Sequence, residues 1–315
     1  MPAAINTAIE PEKILKDLRS LWSDLGRNAD VSGGVLRACG MTLVVAAESD
    51  ADCQDLRHTL GVLMHDHPAR AIVLQLNEKP GLDANVFSQC WMPFGKHQQI
   101  CAEGIEIKAG ITELSHVAQL LLPLIVSDLP AVLWCRGTRI FSENAFMPLL
   151  PLVQKIILDS APASDAEAAI GAIRELRKQG RLVADLAWTK LTSLRELMAS
   201  LFDEGTAVGI KSVQIFYGGD APTPSSIYFA RWMERALPEA HVELKHGADG
   251  TRSLRSIVLS GDSEVTITRP DKATLEVHAG GRVRRSTTRL LSEETLMSEE
   301  LSILGPDPVF DKVLA

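Results

Sequence analysis

Several familiar signatures of chemistry are missing from this sequence. No G-x-G-x-x-G run follows an apolar segment, no G-x-x-x-x-G-K-[ST] run occurs, and no G-x-S-x-G elbow is present. Dinucleotide binding, phosphate-loop chemistry and serine hydrolysis by these common devices are thereby disfavoured. Cysteines are few: Cys39, Cys53, Cys90, Cys101 and Cys135 make an odd set, with no C-x-x-C pair. That pattern argues against a disulfide framework or a zinc site and leaves a redox-sensing pair as the alternative, which requires spatial proximity. Basic charge is short as well, with 32 lysines and arginines against 40 carboxylates and a net charge of −8. This is the wrong sign for a surface that neutralises nucleic-acid phosphates. Long apolar runs are absent too: residues 117–126 are interrupted by Pro123 and followed by Asp128, too short to span a bilayer. The opening Met1-Pro2-Ala3-Ala4 lacks the basic and apolar regions of a secretory signal, so the expected location is the cytoplasm.

What remains is a folded protein of 315 residues, 46% hydrophobic and 23% charged, with the length of about two domains. Residues 11–25 place Ile14, Leu15, Leu18, Leu21, Trp22 and Leu25 on one helical face, with Pro11 at the start and Gly26 past the end. The runs 41–47, 71–76, 131–135 and 155–159 are near-continuously apolar and read as strands buried on both faces. Helices are expected at 51–64, 112–126 and 143–152, a loop through Trp91, and one or two strands within 98–109. Alternating buried strands and helices predict an α/β fold with a mostly parallel sheet covered on both sides.

The expected domain break is Ala161-Pro162-Ala163, giving an N-terminal α/β domain over 1–161 and a C-terminal α/β or α+β domain over 162–315. Beyond it, Ser164 with Glu167 and Ser193 with Glu196 read as capping boxes for helices stopping at Gly180 and Gly205. A strand at 213–217 and a helix at 225–236 follow. Short alternating runs at 256–259, 265–268, 274–277 and 282–288, separated by turns, predict an antiparallel meander. A helix at 293–304 and an extended tail through Pro306, Pro308 and Phe310 close the chain.

Candidate chemistry is sparse. His65, Asp66 and His67 have the alternate spacing of metal ligands on an extended segment, but Pro68 makes them a strand-entry turn, and no metal is expected. Arg70, at a strand start, is either an anion ligand, a solvated arginine or one half of a salt bridge. Trp134 and Arg136 lie at the carboxyl end of a buried strand, where a guanidinium can grip a carboxylate or phosphate. Packing of Trp134 with a surface Arg136 is the alternative. The densest polar stretch carries Asp185, Trp188, Thr189, Lys190, Thr192, Ser193 and Arg195 near a helix start, which reads as an anion site or as caps and ion pairs. Arg282, Arg284, Arg285 and Arg289 crowd one strand, which reads as a charged edge or as a surface for an acidic partner. No cofactor site and no catalytic residue emerge.

Taken in order, several segments resemble the OpcA family, the bacterial glucose-6-phosphate dehydrogenase assembly or effector proteins. They are His67-Pro68-Ala69-Arg70-Ala71-Ile72-Val73-Leu74, Ile100-Cys101-Ala102-Glu103, Leu122-Pro123-Leu124 and Asp128-Leu129-Pro130. Leu133-Trp134-Cys135-Arg136-Gly137, Ile157-Leu158-Asp159-Ser160, Asp185-Leu186-Ala187-Trp188-Thr189-Lys190-Leu191-Thr192 and residues 301–314 continue the series. The resemblance covers nearly the whole chain. It implies an N-terminal and a C-terminal domain without catalytic activity, acting as an assembly or allosteric effector subunit of glucose-6-phosphate dehydrogenase in the oxidative pentose phosphate pathway. The expected partner is that dehydrogenase, with a sugar phosphate as a further candidate ligand, and neither nucleic acid nor membrane. The competing reading is a sugar-phosphate-binding enzyme or sensor of the same pathway, for example a lactone hydrolase using the Asp185 to Arg195 group with Arg136.

Overall fold

The computed structural model describes residues 9–27, 34–53, 55–79, 81–93, 95, 97–142, 144–247, 252–271, 273–288 and 291–315. Packing divides the chain into two units. The first runs to Asp159 and takes in Gln179–Val183 and Glu300–Leu304; the second comprises Ser160–Lys178, Ala184–Glu299 and Gly305–Ala315.

The first unit contains α1 (Pro11–Arg27), β1 (Val35–Arg37), β2 (Met41–Ala47), α2 (Asp50–Cys53), α3 (Leu56–Asp66), β3 (Ala69–Asn77), β4 (Asp83–Trp91), β5 (Gln99–Gly110), α4 (Leu114–Leu121), β6 (Ala131–Arg136) and β7 (Lys155–Leu158). With β8 (Leu182–Asp185) these strands form one sheet of order β1-β5-β3-β2-β6-β7-β8, to which β4 adds antiparallel against β5. Strand β2 is buried at every position because β3 and β6 flank it, Val44 lying beside both Ile72 and Leu133 in parallel register. Its near-continuous apolar run follows from having no solvent face. From β2 the chain lays down β3 and β5 on one side, then returns to lay down β6 and β7 on the other. The reversal falls between β2 and β6, where doubly wound sheets open a crevice at the carboxyl ends of their strands.

The second unit contains α5 (Ala166–Lys178), α6 (Leu186–Thr189), α7 (Thr192–Asp203), β9 (Ser212–Tyr217), α8 (Pro224–Ala236), β10 (His241–His246), β11 (Leu254–Ser260), β12 (Glu264–Asp271), β13 (Thr274–Ala279), β14 (Arg282–Thr287), α9 (Glu293–Ser302) and α10 (Pro308–Leu314). Its sheet has the order β10-β9-β11-β12-β13-β14. Strand β10 runs parallel to β9, and the remaining neighbours pair antiparallel as the expected meander. Alternate residues Val213, Ile215, Ile257, Leu259, Val265, Ile267, Leu275 and Val277 are buried, which gives this sheet one packed face.

The structure corrects several sequence expectations. The stretch ending at Trp91 is strand β4, not loop. Its residues are only half-buried, so it lacks the apolar run of a central strand. In place of a helix over 143–152 the chain makes short 3-10 turns at Arg139–Phe141, Asn144–Phe146 and Leu150–Leu152, because Pro148 and Pro151 cannot donate to a helical ladder; Glu143 lies outside the described residues. The helix expected over 51–64 is two, α2 and α3, parted at Asp55, whose φ is 58°. Helix α5 is capped by Asp165, whose carboxylate accepts from the Ala168 N–H at 3.0 Å, rather than by Ser164. Helix α7 has no side-chain cap at all. The extended tail is helix α10, with Pro308 in the first turn, where its missing N–H costs nothing, and Asp307 as the cap.

Cysteine chemistry also departs from expectation. The antiparallel register of β4 on β5 sets Cys90 opposite Cys101, and the two form a disulfide with Cα atoms 4.1 Å apart. The proximity comes from strand pairing, which spacing along the chain does not show.

Candidate functional site

The crevice between β2 and β6 is built from the residues that leave the two strands. Glu48 follows β2 directly, and its carboxylate turns across the crevice to accept from the backbone N–H groups of Thr138 and Arg139, each at 3.0 Å. Gly137 makes this approach feasible: its φ is 153°, and a Cβ there would lie 2.2 Å from Glu48 Cδ. Burial lifts the Glu48 carboxyl above the ordinary range and the nearby Asp52 charge adds to this, against the hydrogen bonds from Arg139 and Thr138. Trp134 is buried, and the Arg136 guanidinium lies 5.3 Å from its ring centroid while donating to the Asp52 carbonyl. Arg139 pairs with Glu78. The crevice is therefore filled from within by a carboxylate, with its cations turned to partners of the same chain.

Arg70 is buried at the start of β3. Its Nε donates to Glu103 at 2.6 Å and its Nη1 to the Leu124 carbonyl at 2.6 Å. Glu103, on β5 and 1% exposed, also accepts from Trp22 Nε1 at 2.6 Å and from Arg37 at 2.5 Å. Burial works to raise this carboxyl; the Trp22 hydrogen bond and the charges of Arg70 and Arg37 outweigh it and hold the group below the ordinary carboxylate range. Of the two readings of Arg70, this geometry is that of the ion pair. Glu103 ties α1 and β1 to the sheet, and only its resemblance segment marked it in the sequence.

In the second unit, Asp185 ends β8 with no exposed surface. One oxygen accepts from the backbone N–H groups of Ser160 at 3.0 Å and Ala187 at 2.9 Å; the other accepts from the hydroxyls of Ser160 at 2.5 Å and Tyr228 at 2.8 Å. Burial, followed by the Asp185 charge, pushes the Tyr228 hydroxyl far above its usual value, so it stays a donor. Trp188 stacks on Phe310 at 5.5 Å, meets Tyr228 edge-on at 6.2 Å and donates from Nε1 to Asp307 at 2.8 Å. Arg195 lies 3.9 Å over the Trp188 ring and donates to Thr192 Oγ1. Lys190, half-buried, follows α6 and donates its backbone N–H to Leu186. The polar stretch of the sequence is thus brought together around a closed carboxylate rather than an open anion pocket. Ser160 and Tyr228, which close it, stand 25 and 43 residues away; Ser160 was marked only by its resemblance segment, and Tyr228 carried no signal of its own.

The remaining candidates separate. His65 pairs with Asp66 at 2.7 Å and packs 5.7 Å from Trp91, and no metal-binding cluster exists among the described residues. A cleft of about 300 Å³ over α3 has an apolar floor of Leu60, Val73 and Phe87, and Arg57 at its rim is held by both oxygens of Glu106. Arg282, Arg284 and Arg285 lie exposed on β14; Arg289 is outside the described residues.

Fold and site together define a class: a two-unit α/β protein with the strand order of a dinucleotide-binding sheet, but a carboxylate at its switch point. The fold is shared with KijD10, a 3-ketoreductase from Actinomadura kijaniata solved with NADP and TDP-benzene, at a TM-score of 0.51 and 10% identity, covering 87% of this chain and 94% of that one. A dinucleotide does not fit these residues. Its pyrophosphate requires glycine-lined backbone N–H groups after the first strand, and here Glu48 stands at that turn with Asp52 behind it. Models for the N-terminal and C-terminal domains of a glucose-6-phosphate dehydrogenase subunit match residues 62–175 and 181–314. The chain belongs to this family, the OpcA family. It is 29% identical over 142 residues to OpcA of Nostoc punctiforme, covering 44% of this chain and 30% of that protein. It is 28% identical over 155 residues to OpcA of Synechococcus elongatus, covering 48% and 35%. The names of both place them provisionally in the OxPP cycle. The chain spans about a third of the length of the curated relatives it matches.

Proposed function

We propose that this chain is a non-catalytic effector subunit of glucose-6-phosphate dehydrogenase, which binds the dehydrogenase and shifts it toward its active assembly. The observation that carries this reading is the match, in order, of both dehydrogenase-subunit domain models across 62–175 and 181–314. The side chains with the best claim to chemistry, Asp185, Arg70 and Arg136, are engaged within the chain, which supports a role exercised through surface rather than turnover. A partner shifts an equilibrium only by its differential affinity for the two states, and about 1.4 kcal/mol gives a tenfold shift. The reading places the protein in the cytoplasm with its partner; among the described residues no helix is long and apolar enough to cross a membrane.

The test is the initial rate of the dehydrogenase from the same organism against glucose 6-phosphate, with this protein titrated from zero to excess. A saturable fall in KM or rise in kcat is the expected result. No change under either oxidising or reducing conditions overturns it. Calorimetry of the chain alone with 6-phosphogluconate separates a sugar-phosphate sensor, which gives heat, from a pure assembly partner, which gives none.

A further inference from the structure

Strand β14 ends the second unit's sheet, and nothing pairs with its outer edge among the described residues. Five of its six residues are exposed, Val283 to 58%. An exposed edge offers a row of backbone N–H and C=O groups to any extended segment that approaches. Its side chains select among such segments. Arg282, Arg284 and Arg285 put three cations on one short strand of a protein whose net charge is −8. Arg284 meets Glu204 at 2.8 Å and Arg285 meets Glu276 at 2.6 Å. The Arg284 and Arg285 side chains are 49% and 75% exposed, so these are surface pairs of the kind that contribute little and exchange readily.

We propose that β14 is a docking edge for an acidic extended segment of a partner protein, added as a further strand. Charge complementarity chooses this occupant over a second copy of the chain. Antiparallel pairing of β14 with the same strand of a second copy, centred on residue 283, 284 or 285, sets arginine opposite arginine, and like charges directly opposite are destabilising. An added strand with carboxylates opposite Arg282, Arg284 and Arg285 and an apolar residue opposite Val283 meets each position with its complement. Arg282 and Arg284 lie on the same side of the sheet as Val277, and Val283 and Arg285 on the side of Glu276 and His278, so the pattern is read on both faces. The same arginines that guard the edge against self-pairing thereby admit an acidic strand. The inference stands without the dehydrogenase reading, since it concerns the chemistry of the segment and not its source.

The experiment uses the full chain and a fluorescein-labelled ten-residue peptide of glutamates with one central valine, with the lysine-for-glutamate peptide as control. Anisotropy is expected to show saturable binding of the acidic peptide at least tenfold tighter than the basic one. Amide hydrogen exchange across residues 282–287 is expected to slow at least tenfold on binding, which ion attraction alone does not produce. In the variant carrying Arg282→Glu, Arg284→Glu and Arg285→Glu the preference is expected to invert toward the lysine peptide. Absence of saturable binding, or binding without slowed exchange in β14, overturns the proposal. An unchanged preference in a variant whose circular dichroism matches the parent does so too. Should that variant not fold, the exchange measurement on the parent chain decides alone.

Discussion

Replacing Asp185 should destabilise the second unit, and the size of the effect follows from four donors that surround it. Two are the backbone N–H groups of Ser160 and Ala187, fixed in direction; two are the hydroxyls of Ser160 and Tyr228, free to rotate. In Asp185→Ala the hydroxyls can turn to other acceptors, but both N–H groups stay buried and unmet. Each costs about 1–3 kcal/mol, so the two together cost about 2–6 kcal/mol. An ordinary domain stability is about 5–15 kcal/mol, so a loss of this size is a large part of the margin. Asp185→Asn retains one oxygen for the two N–H groups and presents its NH₂ to hydroxyls that can rotate to accept, so its cost falls to about 1–2 kcal/mol. Tyr228→Phe removes a single charged hydrogen bond, about 1.5–3 kcal/mol. Asp185→Ala with Tyr228→Phe together should lose less than the sum of the single changes. Urea unfolding followed by tryptophan emission, to which Trp188 reports from beside the cluster, measures all four. An Asp185→Ala protein within 1 kcal/mol of the parent, or strictly additive losses, would refute the closed-carboxylate account.

Three further outcomes follow from the first unit. The Cys90–Cys101 bond closes a loop of sequence separation 11, and its reduction, or Cys90→Ser with Cys101→Ser, is expected to cost up to about 3 kcal/mol. On a unit of this size that is a fall of about 5–10 °C in Tm, measured by calorimetry with and without dithiothreitol. Glu103 is held below the ordinary carboxylate value, so its contribution is present above about pH 4.5 and is lost as pH falls through its folded value. Glu103→Gln should therefore flatten the acid limb of a stability-against-pH curve while lowering stability at neutral pH. Glu48 is raised, so its ionisation costs stability as pH climbs from 4.5 through its folded value. Glu48→Gln keeps an oxygen for Thr138 and Arg139 and should be no less stable than the parent at pH 7, a loss above 1 kcal/mol in chemical denaturation counting against this.

Much of the first sheet was legible because strands with little or no solvent face carry near-continuous apolar runs, as β2, β3, β6 and β7 do. Strand β4 was not, since a half-buried strand spreads its apolar residues among polar ones and gives no run to read. Helix α10 was hidden by Pro308, which stops a helix in its interior but opens one in the first turn. The meander was legible from alternation and its turns, whereas β10, half-buried along most of its length, was not. For the site the limit was different in kind. The polar density from Asp185 to Arg195 marked a real cluster, yet adjacency in sequence could not say whether its groups face outward or inward. Ser160 and Tyr228 decide that, and they reach Asp185 only through tertiary packing.

Glu48 closes the crevice that this strand order creates. The crevice between β2 and β6 is a consequence of strand order and exists whatever residues line it. Left open, it would expose the N–H groups of Thr138 and Arg139 at the end of a buried strand, and an anion would satisfy them. A carboxylate from the same chain does so first, at no entropic cost of association, and its charge with that of Asp52 opposes the entry of phosphate. Gly137 is what lets the carboxylate sit there, since any side chain at that position would strike Glu48. The pair Glu48 and Gly137 thus makes the crevice at the switch point a joint between two strands.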